Sequence, residues 1–301
     1  MALATFNSRV REAERNPKSE GRGPKEGRRL KSEGECLRTS DFGFLSGFGL
    51  QPSSFIFALL TLLLVIQCRV VAAEETNANA RAREAFNQAK GEYEAHPQEA
   101  QSAWHFARAT FDLADFATNK SERADLAQKG IAACKQALAK TPDSAPLHYY
   151  LGLNEGQLAQ TKMFGALKLV DQMEGEFTKA IALDPSFDYA GAERSLGLLY
   201  RDAPVLGSIG SRTKSRSHLE RALELAPQYP ENRINLVESE IKWGDRKSAR
   251  HQLKLLEDDW QRAHAQFSGL SWASSWADWE TRLEKVKKTL EEPPRLESPR
   301  H

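Results

Sequence analysis

Seven histidines, His96, His105, His148, His218, His251, His264 and His301, are where a metal or general-base centre would have to begin. They form no HExxH, none stands beside a cysteine, and no two share metal-ligand spacing. His148 stands alone beside Tyr149-Tyr150, the usual setting of a packed imidazole. No GxSxG is present to raise a serine nucleophile. Gly207-Ser208-Ile209-Gly210 imitates a phosphate loop, yet no Lys-Ser/Thr directly follows Gly210. Arg212, Lys214 and Arg216 make a basic run at a helix start, which would hold an anion or simply face water. These residue types point to no catalytic set, no metal and no cofactor. What remains is a surface, and its chemistry depends on the elements that carry it.

Composition narrows those elements. Hydrophobic content of 40% with 28% charged residues suits a globular, largely helical chain. The net charge of +1 is uneven: before Glu74 there are 11 Lys/Arg and 7 Asp/Glu, and from Glu74 onward 31 and 34. The acidic body has no general pull toward nucleic acid. Of Cys36, Cys68 and Cys134 only the last lies in that body, so no disulfide framework supports it.

The N-terminal part reads differently. Residues 1–52 are polar, then Gly- and Phe-rich, and are expected to be a disordered extension or over-called upstream sequence. Residues 53–73 read as a signal peptide: Phe55–Ile66 is an apolar core short of a membrane span, and Val71 and Ala73 are small residues before a cut at Glu74. Export to the periplasm follows, with a retained single N-terminal span as the alternative.

Residues 74–290 read as a helical-repeat domain and 291–301 as a disordered tail. Three phrases repeat: Lys135–Pro142, Lys179–Pro185 and Glu220–Pro227, with an Ala five residues before each Pro. The prolines lie 43 and 42 residues apart, and each prevents a helix from continuing. Around them the spacing predicts a first helix over Asn77–His96 and a hairpin of Gln98–Ala117 and Ser121–Lys140, Ser121 capping the second. Further hairpins run over Ala145–Pro185, Tyr189–Pro227 and Glu231–Glu257. Gly152 and Gly197, each after a Leu, and the closing Ala and Pro match the positions of tetratricopeptide repeats. The first three units exceed the 34-residue period, so the array is irregular. Trp272, Trp276, Trp279, Leu283, Val286 and Leu290 form one stripe, expected to cap the last face, with a partner site as the alternative. The fold class is therefore all-α: an irregular tetratricopeptide-like helical-hairpin solenoid with a C-terminal capping helix.

In stacked hairpins the first helix of each unit lines the concave side. By that register the groove presents His105, Ala109 and Asp112, then Tyr149 and Leu153, then Arg194, Leu198 and Arg201, then Glu238. Leucines among aromatic and charged groups suit an extended peptide or a small apolar ligand.

The run Asp188–Pro227, DYAGAERSLGLLYRDAPVLGSIGSRTKSRSHLERALELAP, resembles the T component of tripartite ATP-independent periplasmic transporters. Ala103–Ala117 resembles the start of that family and of its relatives, the regulators of microtubule dynamics. The resemblance implies an irregular helical-repeat protein of the periplasm with a groove for an apolar ligand. It further implies a protein partner such as a solute-binding protein. A general envelope scaffold stays open beside it, as does a homo-oligomer; a hydrolase on helical repeats is the remote alternative.

Overall fold

The computed structural model describes residues 78–293. The leader, the signal segment with its cleavage point, and the tail beyond 293 lie outside the described residues. Within them there are ten α-helices and no strand: α1 covers 78–95, followed by α2 (Ala100–Ala114), α3 (Lys120–Leu138), α4 (Ala145–Ala159) and α5 (Ala166–Leu183). Then come α6 (Phe187–Asp202), α7 (Arg212–Leu225), α8 (Pro230–Lys242), α9 (Arg246–Gln266), a 3₁₀ turn (Leu270–Trp272) and α10 (Ala273–Glu291). The pairs α2/α3, α4/α5, α6/α7 and α8/α9 are the hairpins of a tetratricopeptide-like solenoid.

The repeated phrases are where the hairpins close. Ala137, Ala180 and Ala222 are fully buried, so the second helix of each unit approaches its neighbours through a methyl group. Each Leu-Gly pair does the same from the first helix. A Cβ added at Gly152 would lie 2.7 Å from the Phe177 ring, and one at Gly197 would lie 2.8 Å from Leu219 Cγ. One interlock, small residue against large, holds both units together.

Several boundaries shift by one to three residues from the expected spacing, as where α2 ends at Ala114 rather than Ala117 and α6 begins at Phe187 rather than Tyr189, and two differences have a visible cause. Asn119 rather than Ser121 caps α3: its extended backbone lets its side chain accept from the Glu122 N–H at 2.9 Å. Glu122 Oε2 accepts in turn from the Thr118 N–H at 2.9 Å, so Ser121 falls inside the first turn. Helix α9 runs to Gln266, past Glu257, because Trp260 and Ala263 continue its apolar face onto α10. The α10 stripe is buried at Trp276, Trp279, Leu283, Val286 and Leu290 and covers the last unit; Trp272 stands in the 3₁₀ turn.

The residues in excess of a 34-residue period collect partly in the turns inside two hairpins, 160–165 and 203–211. The longer turn is pinned at its base, where the Gly210 N–H donates to Pro204 O at 3.0 Å and the Ser211 N–H to Tyr200 O at 2.9 Å. Helices α4 and α6 touch, and two chain reversals separate them, so they run in the same direction. Both turns therefore leave the same end of the stack.

Glu155, three residues after Gly152, holds the place that Tyr200 holds after Gly197. Its side chain is 3% exposed. Oε1 lies 3.8 Å from Lys135 Nζ, and Oε2 is buried with no hydrogen-bond partner. Burial, reinforced by nearby Glu176, pushes this carboxyl up to about 7 from its ordinary 4.5, against the pull of Lys135 and Lys179. The folded state then keeps a proton that the unfolded chain releases, so the contribution of Glu155 to stability falls as pH rises between those values. Glu155→Gln is expected to match wild type in urea unfolding near pH 4.5 and to exceed it by ~1–3 kcal/mol near pH 8. A pH-independent difference would remove Glu155 as the titrating group.

Candidate functional site

Asp188, Tyr189 and Ala190, at the start of α6, are three consecutive non-glycine residues in the left-handed region, with φ of 51°, 55° and 61°. Each costs about 1–2 kcal/mol relative to a right-handed turn, so surrounding bonds must over-determine them. Asn232 Nδ2 donates to Tyr189 O at 3.1 Å, and Arg194 Nη1 donates to the same oxygen at 3.2 Å. Tyr149 OH donates to Asp188 Oδ2 at 3.0 Å, and a Cβ at Gly191 would lie 2.6 Å from that hydroxyl. The next helical turn closes this tightly only because Gly191 lacks a side chain. Ala190→Gly is accordingly expected to leave stability within ~0.5 kcal/mol of wild type. Ala192→Gly, in ordinary helix two residues on, should cost ~1 kcal/mol or more. Equal losses in thermal unfolding would argue against the left-handed turn.

From this turn a chain of paired charges crosses unit after unit. Arg194 Nη2 lies 3.6 Å from Asp188 Oδ2 and its Nε 3.9 Å from Glu231 Oε1, while Nη1 donates to Asn232 Oδ1 at 3.0 Å. The guanidinium also sits over the Tyr229 ring, 5.1 Å from its centroid. Arg282 of α10 lies 3.9 Å from Glu231 and binds Glu238 through two hydrogen bonds of 2.9 and 2.8 Å. Burial pushes the Asp188 carboxyl up, and the nearby Arg194 only partly offsets that. At Glu231 burial acts the same way, but Arg194 and Arg282 together hold its carboxyl below the usual carboxylate range. Burial alone would ease the proton off Arg194; Glu231, Tyr149, Tyr229 and Asp188 together outweigh it and hold the guanidinium charged.

The predicted lining residues fall into two groups. Tyr149, Leu153, Arg194 and Leu198 are buried. Leu153 belongs to the central core, and Leu198 packs with Leu219 and Leu236 of the following elements. Arg201 spends its guanidinium on its neighbour Asp202, with bonds of 2.7 and 2.7 Å, and reaches Ser239 Oγ at 3.2 Å. An Arg201→Glu substitution would therefore disturb packing before it tested any binding. His105 is half-buried edge-on against Trp104, Asp112 is exposed 3.7 Å from Arg108 Nε, and Glu238 is held by Arg282.

The structure thus joins Tyr149, Arg194 and Glu238 through three residues that the spacing argument missed: Asp188, Glu231 and Arg282. A signal for the first two existed. Asp188 and Glu231 lie 43 residues apart, as Pro142 and Pro185 do, each beginning a first helix just after a proline turn. Arg282 gives none, since it stands off the apolar stripe that marks its helix.

Tyr189 is 38% exposed. One face of its ring stacks on Tyr229 at 4.5 Å between centroids, with Phe267 and Trp272 edge-on. The carboxylates of Asp188, Glu231, Glu238 and Asp278 remain partly exposed nearby in sequence or through Arg282. Among the described residues no group of three His, Cys, Asp or Glu could hold a metal ion. No described helix is long and apolar enough to cross a membrane. Elsewhere, a cleft of about 460 Å³ between α9 and α10 has Trp260 and Leu283 among its walls, with Glu257 and Glu284 bridged by Lys287.

Comparison with known proteins agrees with the architecture. The family model of regulator of microtubule dynamics protein 1-3 matches residues 67–197. No curated protein matches the chain by sequence. A thermophilic tetratricopeptide-repeat protein of Thermus thermophilus superposes with a TM-score of 0.50 at 19% identity, covering 74% of this chain and 98% of that one. The crystal structure of MamA superposes at a TM-score of 0.44 and 16% identity, over 62% of this chain and 94% of that one. The first of these shows the shared fold.

Proposed function

We propose that the chain is a binding protein that receives an extended peptide segment of a protein partner along its first-helix face, anchored at the left-handed turn of α6. The observation that carries this is strain: three left-handed residues are held by Tyr149, Arg194 and Asn232, and they present Tyr189 on an aromatic stack. Strained backbone kept in place by surrounding bonds clusters where ligands are gripped. The exposed Tyr189 ring suits an apolar or aromatic side chain, and the carboxylates of Asp188 and Glu231 beside it suit a neighbouring cation. Asp112 and Arg108 extend the same face on α2.

Panning the full chain against a random peptide library tests this. Enriched peptides should pair a basic with an aromatic or apolar residue, and should lose affinity at least tenfold for Tyr189→Ala. Enrichment indifferent to that substitution would sink the reading.

Export is a separate part of the proposal, supported by the Phe55–Ile66 run and the small residues before Glu74. N-terminal sequencing of the chain from envelope extract checks it, with Glu74 as the expected first residue. The finer role, accessory to a periplasmic solute-binding protein, rests on the resemblance of Asp188–Pro227. It would be tested by co-purification with such a partner.

A further inference from the structure

Apolar side chains are held out into solvent at the two long turns. Met163 and Phe164 are 76% and 85% exposed, with Leu167 behind them; Val205 and Leu206 are 75% and 91% exposed. Neither tip is loose coil by composition. Gly165 and Gly207 follow the tips in the left-handed conformation, both at φ 79°, and the second turn is tied at its base by the Gly210 and Ser211 amides. Because α4 and α6 run in parallel, both tips project from one end of the solenoid.

Charge separates that end from the other. Residues 160–171 and 202–216 carry Lys162, Lys168, Arg212, Lys214 and Arg216 against Asp171 and Asp202. Lys162 and Lys168 are exposed and make no ion pair among the described residues. Arg212 and Lys214 are also exposed, lying over the Trp243 and Tyr200 rings, with Glu174 Oε1 3.9 Å from the Lys214 ammonium. The proline turns at the opposite end carry Asp143, Asp184, Asp188 and Glu231 against Lys140. Large apolar groups left in water together with exposed cations match an interface that is apolar inside and anionic at its surface, which describes an anionic lipid bilayer. A protein groove would have to supply an apolar slot and carboxylates for two separate tips.

We propose that this end of the solenoid docks on anionic membranes, Met163-Phe164 and Val205-Leu206 entering the headgroup layer and Lys162, Lys168, Arg212 and Lys214 facing lipid phosphates. The surface is distinct from the first-helix face and leaves it free.

Hydrogen exchange of the full chain on vesicles reads the tips locally, whatever other segments contribute to binding. With vesicles of phosphatidylserine in phosphatidylcholine, peptides covering 160–168 and 203–211 should gain protection, and phosphatidylcholine alone should give little. Phe164→Asp with Leu206→Asp should abolish that protection, both side chains being too exposed to hold the fold. Lys162→Glu with Lys168→Glu should weaken binding at least tenfold on the anionic vesicles, an effect that salt reduces. Protection indifferent to lipid charge, vesicle binding with both turns unprotected, or no binding at all would overturn the proposal. The last outcome would assign the tips to a protein partner.

Discussion

Arg194→Met is expected to lower unfolding free energy by about 3–5 kcal/mol, measured as a shift in denaturant midpoint at constant slope. The side chain is 7% exposed and is shared between Asp188, Glu231, Asn232 and the carbonyl of Tyr189. Methionine fills similar volume, so the loss would come from the charge and hydrogen bonds taken from Asp188, Asn232 and the Tyr189 carbonyl, with Glu231 left to Arg282 alone, rather than from a cavity. Removing one partner of a buried pair costs more than removing both. The double variant Arg194→Met, Glu231→Gln should therefore recover part of the loss. Full additivity of the two losses would show that Arg194 and Glu231 do not interact.

Trp279→Ala should cost about 3–5 kcal/mol and loosen the last unit before the rest. Trp279 is 1% exposed and packs edge-on against Tyr229 and Trp276, with Phe267 and Trp272 near. Hydrogen exchange in α8 and α9 should rise, with α4 and α5 little changed. A tryptophan reserved for a partner would give the opposite result, with stability held and binding lost. The two uses of an aromatic stripe are separated by one substitution.

Much of this architecture is legible in residue spacing because small residues and prolines act locally. Pro142, Pro185 and Pro227 end helices wherever they occur, and Gly152 and Gly197 need only one large neighbour each. The cap stripe follows the same logic, since one face of one helix is visible in its own period. The left-handed turn is illegible for the converse reason. Asp188-Tyr189-Ala190 contains no glycine, and its conformation is imposed by Tyr149, Arg194 and Asn232, which lie 39, 6 and 44 residues from Asp188.

The lining fared differently from the scaffold. Helical register puts Tyr149, Arg194 and Leu198 on the first-helix face, while what covers them is set by other elements. Buried bonds to Asp188 and Glu231, and packing against Leu219 and Leu236, occupy side chains that spacing alone left open. Asp112 and His105, where the stack begins, keep the accessibility that the same register gave to all of them.

The hydrogen bonds and paired charges from Tyr149 to Arg282 have a mechanical consequence. Solenoids of independent units behave as springs, flexing and fraying one repeat at a time. Here α4, α6, α8 and α10 are bolted to one another across each joint, and the strained turn of α6 is one of the bolts. Such an array behaves as a stiff bracket. Pulled at its ends it should yield in one large rupture rather than a staircase.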